Sequence, residues 1–181
     1  LKEIVIPQKV SKIGKFAFQS CTSLKNIKIL SSSLLMFSKS IFDGCYSLTK
    51  IFIPSSIKEI GEFSFNRGTS LSQIIFEIPS FVETISISAF LGCSHLKEIS
   101  IPSSLIEIGE FSFNGCSLLE KVSFNKPSNL IRIGKNAFNG CVSLHQIEIP
   151  SSVVQISDST FEGCLKLKKV EFEKPSSINS I

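Results

Sequence analysis

The sequence predicts a right-handed, β-rich repeat solenoid in which each turn of 23–25 residues supplies one parallel strand, a short extended segment and a helical turn. Three observations predict it. A leucine recurs at Leu1, Leu24, Leu48, Leu71, Leu96, Leu119, Leu144 and Leu167, at spacings of 23, 24, 23, 25, 23, 25 and 23 residues. A second apolar marker (Ile13, Phe37, Ile60, Ile85, Ile108, Ile133, Ile156 and Ile181) lies 11 residues before the next leucine wherever a leucine follows. Every proline and every cysteine falls in a fixed slot of the same register. Periods of this size are the signature of stacked supersecondary units, none of which buries its apolar face alone.

The strand follows the leucine. In Leu24-Lys25-Asn26-Ile27-Lys28-Ile29 the apolar positions one, four and six put Ile27 and Ile29 on one face and Lys28 on the other. Proline follows in seven repeats, as at Pro7, Pro54 and Pro102, and ends the strand because it has no N–H to give to a ladder. A second extended segment comes next, as in Ile57-Lys58-Glu59-Ile60. Gly61 then opens a turn carrying a small residue and a phenylalanine, which reads as a short helical or 3₁₀ turn. Equivalent residues of successive turns should lie roughly 4.7–4.9 Å apart. Phe18, Phe42, Phe65, Phe90, Phe113, Phe138 and Phe161 are therefore expected to form one core column, with edge-on aromatic packing. All variation in length falls between the leucine and the marker. From Leu48 onward it alternates, so Phe76-Glu77-Ile78-Pro79, Phe124-Asn125-Lys126-Pro127 and Phe172-Glu173-Lys174-Pro175 should bulge from one edge on every second turn.

Composition narrows the function. The chain has 181 residues, 43% hydrophobic and 19% charged, with net charge +4, so it can bury a substantial core and is not a disordered tail. It reads as one domain over residues 1–181, of about seven and a half repeats. Leu1 and Ile181 fall in the middle of the pattern, which suggests a fragment of a longer array. The basic residues are scattered, with only Lys166, Lys168 and Lys169 clustered, and nucleic-acid binding wants a concentrated basic face. No apolar run reaches the ~18 residues of a membrane span, and no signal peptide opens the chain.

No chemistry-bearing constellation emerges. The cysteines Cys21, Cys45, Cys93, Cys116, Cys141 and Cys164 each precede a leucine by three residues. None has the C-x-x-C spacing of a metal site, so unpaired, buried thiols stacked in a column are expected. Such thiols tolerate either redox compartment. His95 and His145 lie two repeats apart beside the repeat leucine and read as surface residues. Asp43 and Asp158 are the only aspartates, and there is no phosphate loop, H-E-x-x-H or Ser-His-Asp motif. The sequence thus points to no enzyme, no metal and no cofactor. The serines that follow the prolines should satisfy backbone groups in turns.

The segment Cys141-Val142-Ser143-Leu144-His145-Gln146-Ile147-Glu148-Ile149-Pro150-Ser151-Ser152-Val153-Val154-Gln155-Ile156, closing on Phe161-Glu162-Gly163-Cys164, resembles the BspA-type leucine-rich repeat, and the resemblance extends over the whole chain. It implies a leucine-rich-repeat solenoid. It further implies a non-enzymatic protein-binding or adhesion module of a bacterial or protozoan surface protein, whose partner is a host matrix or cell-surface protein. Departures are local: the second repeat lacks its proline and has Phe37-Ser38 for Ile-Gly, and the third ends Asn66-Arg67-Gly68.

Any partner site is expected on the strand residues that point away from the core. One outward column reads Val5, Lys28, Phe52, Ile75, Ser100, Ser123, Glu148 and Glu171; its neighbour reads Glu3, Asn26, Lys50, Gln73, Glu98, Lys121, Gln146 and Lys169. Two adjacent apolar residues in columns that are otherwise mostly polar make Lys50, Phe52, Gln73, Ile75 and Glu98 the candidate partner-binding residues, with Lys28 and Glu98 as a polar rim. A cell-surface or secreted module competes with a cytoplasmic or cytoskeletal scaffold docking on a large protein assembly. None of the asparagines lies in an N-x-[ST] acceptor, which leans toward the interior or toward a lineage that leaves these repeats unglycosylated.

Overall fold

The computed structural model describes all 181 residues and shows a solenoid of about seven parallel-stranded turns. Eight four-residue strands line one side: β1 (Glu3–Ile6), β2 (Asn26–Ile29), β4 (Lys50–Ile53), β6 (Gln73–Phe76), β8 (Glu98–Ile101), β10 (Lys121–Phe124), β12 (Gln146–Ile149) and β14 (Lys169–Phe172). Between them come two-residue strands: β3 (Met36–Phe37), β5 (Glu59–Ile60), β7 (Thr84–Ile85), β9 (Glu107–Ile108), β11 (Arg132–Ile133) and β13 (Gln155–Ile156). Pleating sets the burial. Ile51 and Ile53 of β4 are buried while Lys50 and Phe52 face outward, and β8 and β12 repeat the pattern. The short strands form one continuous six-stranded parallel ladder that runs through the marker residues Phe37, Ile60, Ile85, Ile108, Ile133 and Ile156.

The expected helical turn is absent, and the chain there runs through successive tight turns. A helix would keep its N–H groups within one turn. Here alternate N–H groups cross to the next rung: Phe16 donates to the carbonyl of Lys39 at 3.0 Å, Phe18 to Ile41 at 3.0 Å and Ser20 to Asp43 at 2.7 Å. Two left-handed residues per rung aim those donors outward. The first slot holds Phe16, Ser40, Phe63, Ser88, Phe111, Asn136 or Ser159 at φ between 53° and 62°. The second holds glycine in five rungs, with Ser20 and Arg67 in the others, at φ between 57° and 72°. The turns therefore form a third ladder.

One core of 41 buried residues fills the interior. The phenylalanine column forms as expected, but its geometry differs. Successive rings lie 5.2–5.9 Å apart with interplanar angles of 4–24°, stacked in parallel and not edge-on. Repetition explains this, because one rotamer translated by one rung yields parallel planes. Edge-on contact arises only where Phe37, from the marker slot, meets Phe42 and Phe65. All six cysteines are free, four buried and the outermost two, Cys21 and Cys164, half-buried. From Cys45 onward each thiol donates to the carbonyl of the phenylalanine one rung before, as Cys93 Sγ does to Phe65 at 3.3 Å.

Unlike the short-strand ladder, the long-strand side is discontinuous. β1 pairs with β2, β4 with β6, β8 with β10 and β12 with β14, each over four aligned residues. No ladder joins β2 to β4 or β6 to β8, and β10 meets β12 only at Lys121 and Gln146. Rungs thus come in doublets. The longer loops stand exposed at Glu77, Ile78 and Pro79 and at Asn125, Lys126 and Pro127, whereas Pro102 and Pro150 of the shorter rungs are buried. Each longer loop bonds back within its own doublet: Glu77 N to Ile53 O, Asn125 N to Ile101 O and Glu173 N to Ile149 O, all at 2.9 Å. Across doublets the serines after proline do the tying, with Ser56, Ser104 and Ser152 donating to the carbonyls of Leu34, Val82 and Leu130 at 2.7–2.8 Å.

Candidate protein-interaction face

The outward side of the long strands carries the sequence-predicted residues. β4 and β6 align Lys50 with Gln73 and Phe52 with Ile75, so these four form one patch. Phe52 is 52% exposed and Ile75 37%. The Lys50 ammonium sits 5.6 Å from the centroid of the Phe52 ring, a cation–π contact. Glu98 belongs to β8, across the second opening, and is not laddered to the patch. The alignment therefore assembles four of the five expected residues directly and sets the fifth at the border. Val5, 53% exposed in the same column, is separated from Phe52 by Lys28.

Clefts mark the openings. One of about 500 Å³ lies over β2, β4 and β6, lined by Ile27, Lys28, Phe52, Ile53, Pro54 and Ile75 among others. A second of about 720 Å³ lies over β6, β8 and β10, and a third of about 520 Å³ over β10 and β12. Core exposure follows the same rhythm. The inward residue of the second strand in a doublet is 9%, 7% and 6% exposed at Ile27, Ile74 and Val122, against 1%, 2% and 2% at Ile51, Ile99 and Ile147. The first cleft differs chemically from the other two, with five apolar residues among its eight.

Charge divides the face. Toward the carboxyl end it is internally neutralised: Lys126 reaches Glu173 at 2.8 Å and Glu148 at 3.8 Å, and Lys169 meets Glu171 at 2.6 Å. The Lys126 side chain holds the Glu173 carboxyl below the usual range, helped by the backbone N–H of Ser151; Glu173 in turn pushes Lys126 up. Glu77, in the equivalent loop, is lowered by accepting the Ser55 N–H at 2.7 Å. Lys28 and Lys50 belong to no ion pair.

On the opposite, turn side, sequence reasoning missed a polar cluster. Asp43, its side chain only 7% exposed, accepts from Gln19 Nε2 and Asn66 Nδ2 at 2.9 Å and from the Arg67 guanidinium at 3.1–3.3 Å. The bond to Asp43 raises the Arg67 pKa. Gln19, Asp43 and Asn66 share one slot of successive rungs, and Arg67 stands where five rungs carry glycine. That coincidence of a departure with one of only two aspartates was the available signal. The cluster staples three rungs. His95, His145 and Asp158 are exposed, and no group of three or more His, Cys, Asp and Glu side chains converges on a metal-holding geometry. No helix is long and apolar enough to cross a membrane.

The repeat unit matches a known one. The model of the BspA-type leucine-rich-repeat region matches residues 1–80 and 75–181. The chain belongs to the BspA-type leucine-rich-repeat family. Solved structures agree with that fold. The T. pallidum leucine-rich-repeat protein aligns at 28% identity and TM-score 0.73, over 94% of this chain and 69% of that one. A leucine-rich-repeat protein from Eubacterium ventriosum aligns at 25% and TM-score 0.67, over 94% of this chain, which spans 48% of that protein. A leucine-rich cell-surface protein from Faecalibacterium prausnitzii, at 18% identity and TM-score 0.54 over 100% of this chain and 83% of its own, shares the fold alone. No curated protein matches the chain. BspA-type repeats are a protein-interaction architecture, and in this member the long-strand face carries the adjacent exposed pair Phe52 and Ile75.

Proposed function

We propose that residues 1–181 act as one domain, a non-enzymatic protein-binding and adhesion module of a cell-surface BspA-type protein, and that the long-strand face around Lys50, Phe52, Gln73, Ile75 and Glu98 makes the contact. The observation that carries this reading is the adjacency of Phe52 and Ile75, solvent-facing yet held rigidly on paired strands. A preorganised aromatic anchor loses little side-chain freedom on binding, and such anchors dominate interface energetics. Family membership supports the module, and the surface location rests on what the family resemblance implies.

The test is the double variant Phe52→Ala with Ile75→Ser, assayed against a panel of immobilised extracellular-matrix proteins. Both side chains are solvent-facing, so the thermal midpoint should barely move. Binding to whichever matrix protein the unmodified chain retains should weaken at least tenfold, the effect of about 1.4 kcal/mol or more. Unchanged affinity in the folded variant would remove this face and leave the alternating loop edge as the next candidate.

A further inference from the structure

The boundaries between doublets are not equivalent. At the first and second, β2 and β4 and then β6 and β8 share no ladder, while at the third β10 still meets β12 through Lys121 and Gln146. Three repeat positions flank each of the last two boundaries: the loop residue seven after one repeat leucine, the strand residue four after the next, and the loop residue six after the one beyond. At the third boundary they hold Lys126, Glu148 and Glu173, and Lys126 reaches across to Glu173 at 2.8 Å and to Glu148 at 3.8 Å. At the second they hold Ile78, Ser100 and Asn125. We infer that the solenoid bends at its doublet boundaries, hinging on the short-strand ladder, and that the Lys126 triad latches the third boundary against this motion.

A hinge needs one side that holds and one side that can part. The six short strands form an unbroken ladder from Phe37 to Ile156. Close to it, the hydroxyls of Ser56, Ser104 and Ser152 tie each boundary by donating to carbonyls of the rung before. On the long-strand side no ladder has to break at the first two boundaries. Widening or narrowing of the gap there, with the short-strand bonds kept, is a rotation about the short-strand side. The inward residues beside the gaps, Ile27, Ile74 and Val122, are 9%, 7% and 6% exposed, against 1% and 2% for Ile51 and Ile99 on the far side of the first two gaps. They are the core side chains placed to sense the motion. Each rung touches only its neighbours, so one boundary moves without the others.

The latch follows from what each loop can reach. Lys126 belongs to the β8–β10 doublet, and both of its carboxylate partners belong to the β12–β14 doublet, so the two ion pairs cross the gap. At the second boundary Ile78 is 89% exposed and packs on nothing, and Ser100 bonds to Asn125 at 2.8 Å inside its own doublet. No ion pair crosses the first boundary on the long-strand side. Ion pairs between exposed groups are weak and bias an equilibrium only a few fold. That suffices at a boundary where one strand pairing survives, and it makes the latch sensitive to salt, which screens exposed charges. The second boundary is therefore the freer hinge and the third the stiffer one.

The experiment measures NMR relaxation dispersion on the whole 181-residue chain with labelled Ile and Val methyl groups, which reports microsecond-to-millisecond exchange site by site. At low salt Ile27 and Ile74 should show exchange, while Ile51, Ile99 and Val122 stay flat. Lys126→Ala should switch on exchange at Val122 and leave Ile74 unchanged. Salt at about 1 M, where the Debye length is about 3 Å, should do the same to the unmodified chain. Moving the latch to the second boundary, with Ile78→Lys, Ser100→Glu and Asn125→Glu together, should reduce the exchange at Ile74 at least twofold. All substituted positions lie on the surface, and circular dichroism checks that each variant stays folded. A flat Ile74, or equal exchange at Ile51 and Ile99, overturns the hinge. A Val122 that exchanges as strongly as Ile74 at low salt, or stays flat in Lys126→Ala, overturns the latch and leaves the hinge. A folded transplant with Ile74 unchanged overturns the assignment of the latch to these three positions.

Discussion

A glycine in this chain means different things at the same sequence slot. Gly14 and Gly61 both follow the apolar marker. A Cβ on Gly14 would meet nothing within 4 Å, while one on Gly61 would lie 2.3 Å from the Phe37 carbonyl oxygen and 3.3 Å from the Ser38 carbonyl carbon. The difference is the preceding rung, against which Gly61 is pressed. Ser38, Ser86 and Ser157 fill this slot elsewhere, so the restriction is local to the rung beneath. Gly61→Ala should cost about 1–3 kcal/mol through forced backbone movement, whereas Gly14→Ala should be neutral or mildly stabilising. Denaturant unfolding of the two variants measures this, and equal midpoints would mean that the rungs adjust freely. Asp43 teaches the same lesson. In the sequence it is one of two aspartates; in the fold it is a buried acceptor serving Gln19 from the rung before and Asn66 and Arg67 from the rung after.

At the scale of the element, the cysteine column was legible from spacing, because a small apolar residue repeated at one place in every turn is a packing position. What spacing did not show was the donation of each thiol to a phenylalanine carbonyl of the rung before. Burial pushes the Cys45 and Cys93 thiols up to about 12, and Cys116 and Cys141 up as well. In the unfolded chain a thiol ionises near 8.5. The unfolded state therefore gains by losing protons at pH values where the folded state still holds them. The contribution of these thiols is fully present below about pH 8.5 and is lost as pH rises toward 12, at about 1.4 kcal/mol per pH unit for each fully buried thiol. Stability measured by urea unfolding from pH 8 to pH 11 should fall, and the fall should be shallower in a Cys93→Ala, Cys116→Ala variant. Parallel slopes for the two proteins would show that the buried thiols do not set the alkaline limit. The turn element was misread as helical for a physical reason: a glycine-flanked stretch with i→i+3 bonds has the same local signature whether its remaining N–H groups stay inside the turn or cross to the next rung.

At the scale of the whole molecule, the solenoid is held by three ladders of unequal continuity. The short-strand and turn ladders run without a break, and the long-strand ladder opens, or narrows to the single pair of Lys121 and Gln146, after every second rung. Because each rung touches only its neighbours, such openings stay local and do not weaken the distant array. Backbone amides of β4 and β8 that face the openings should exchange with solvent at least tenfold faster than the matching amides of β6 and β10, which face a paired strand. Hydrogen exchange resolved by residue tests this, and uniform protection along all four strands would mean that the doublets close in solution. The candidate face was half legible. Phe52 and Ile75 stood out because they break a polar column, but the cleft beside them was not visible, since it arises from strands that fail to pair.

The sequence by itself determined the number of turns, the residues facing the core, the phenylalanine and cysteine columns and the adjacency of Phe52 and Ile75. Each follows from a fixed period and a side-chain alternation of two, and both are one-dimensional properties. Only the tertiary structure decided the parallel stacking of the rings, the Asp43 cluster, the turn ladder and the grouping of rungs into doublets. These depend on where a donor, a ring or a loop on one rung meets the next; in the doublets from β4 onward the longer loops at Glu77, Asn125 and Glu173 bond back onto the rung before.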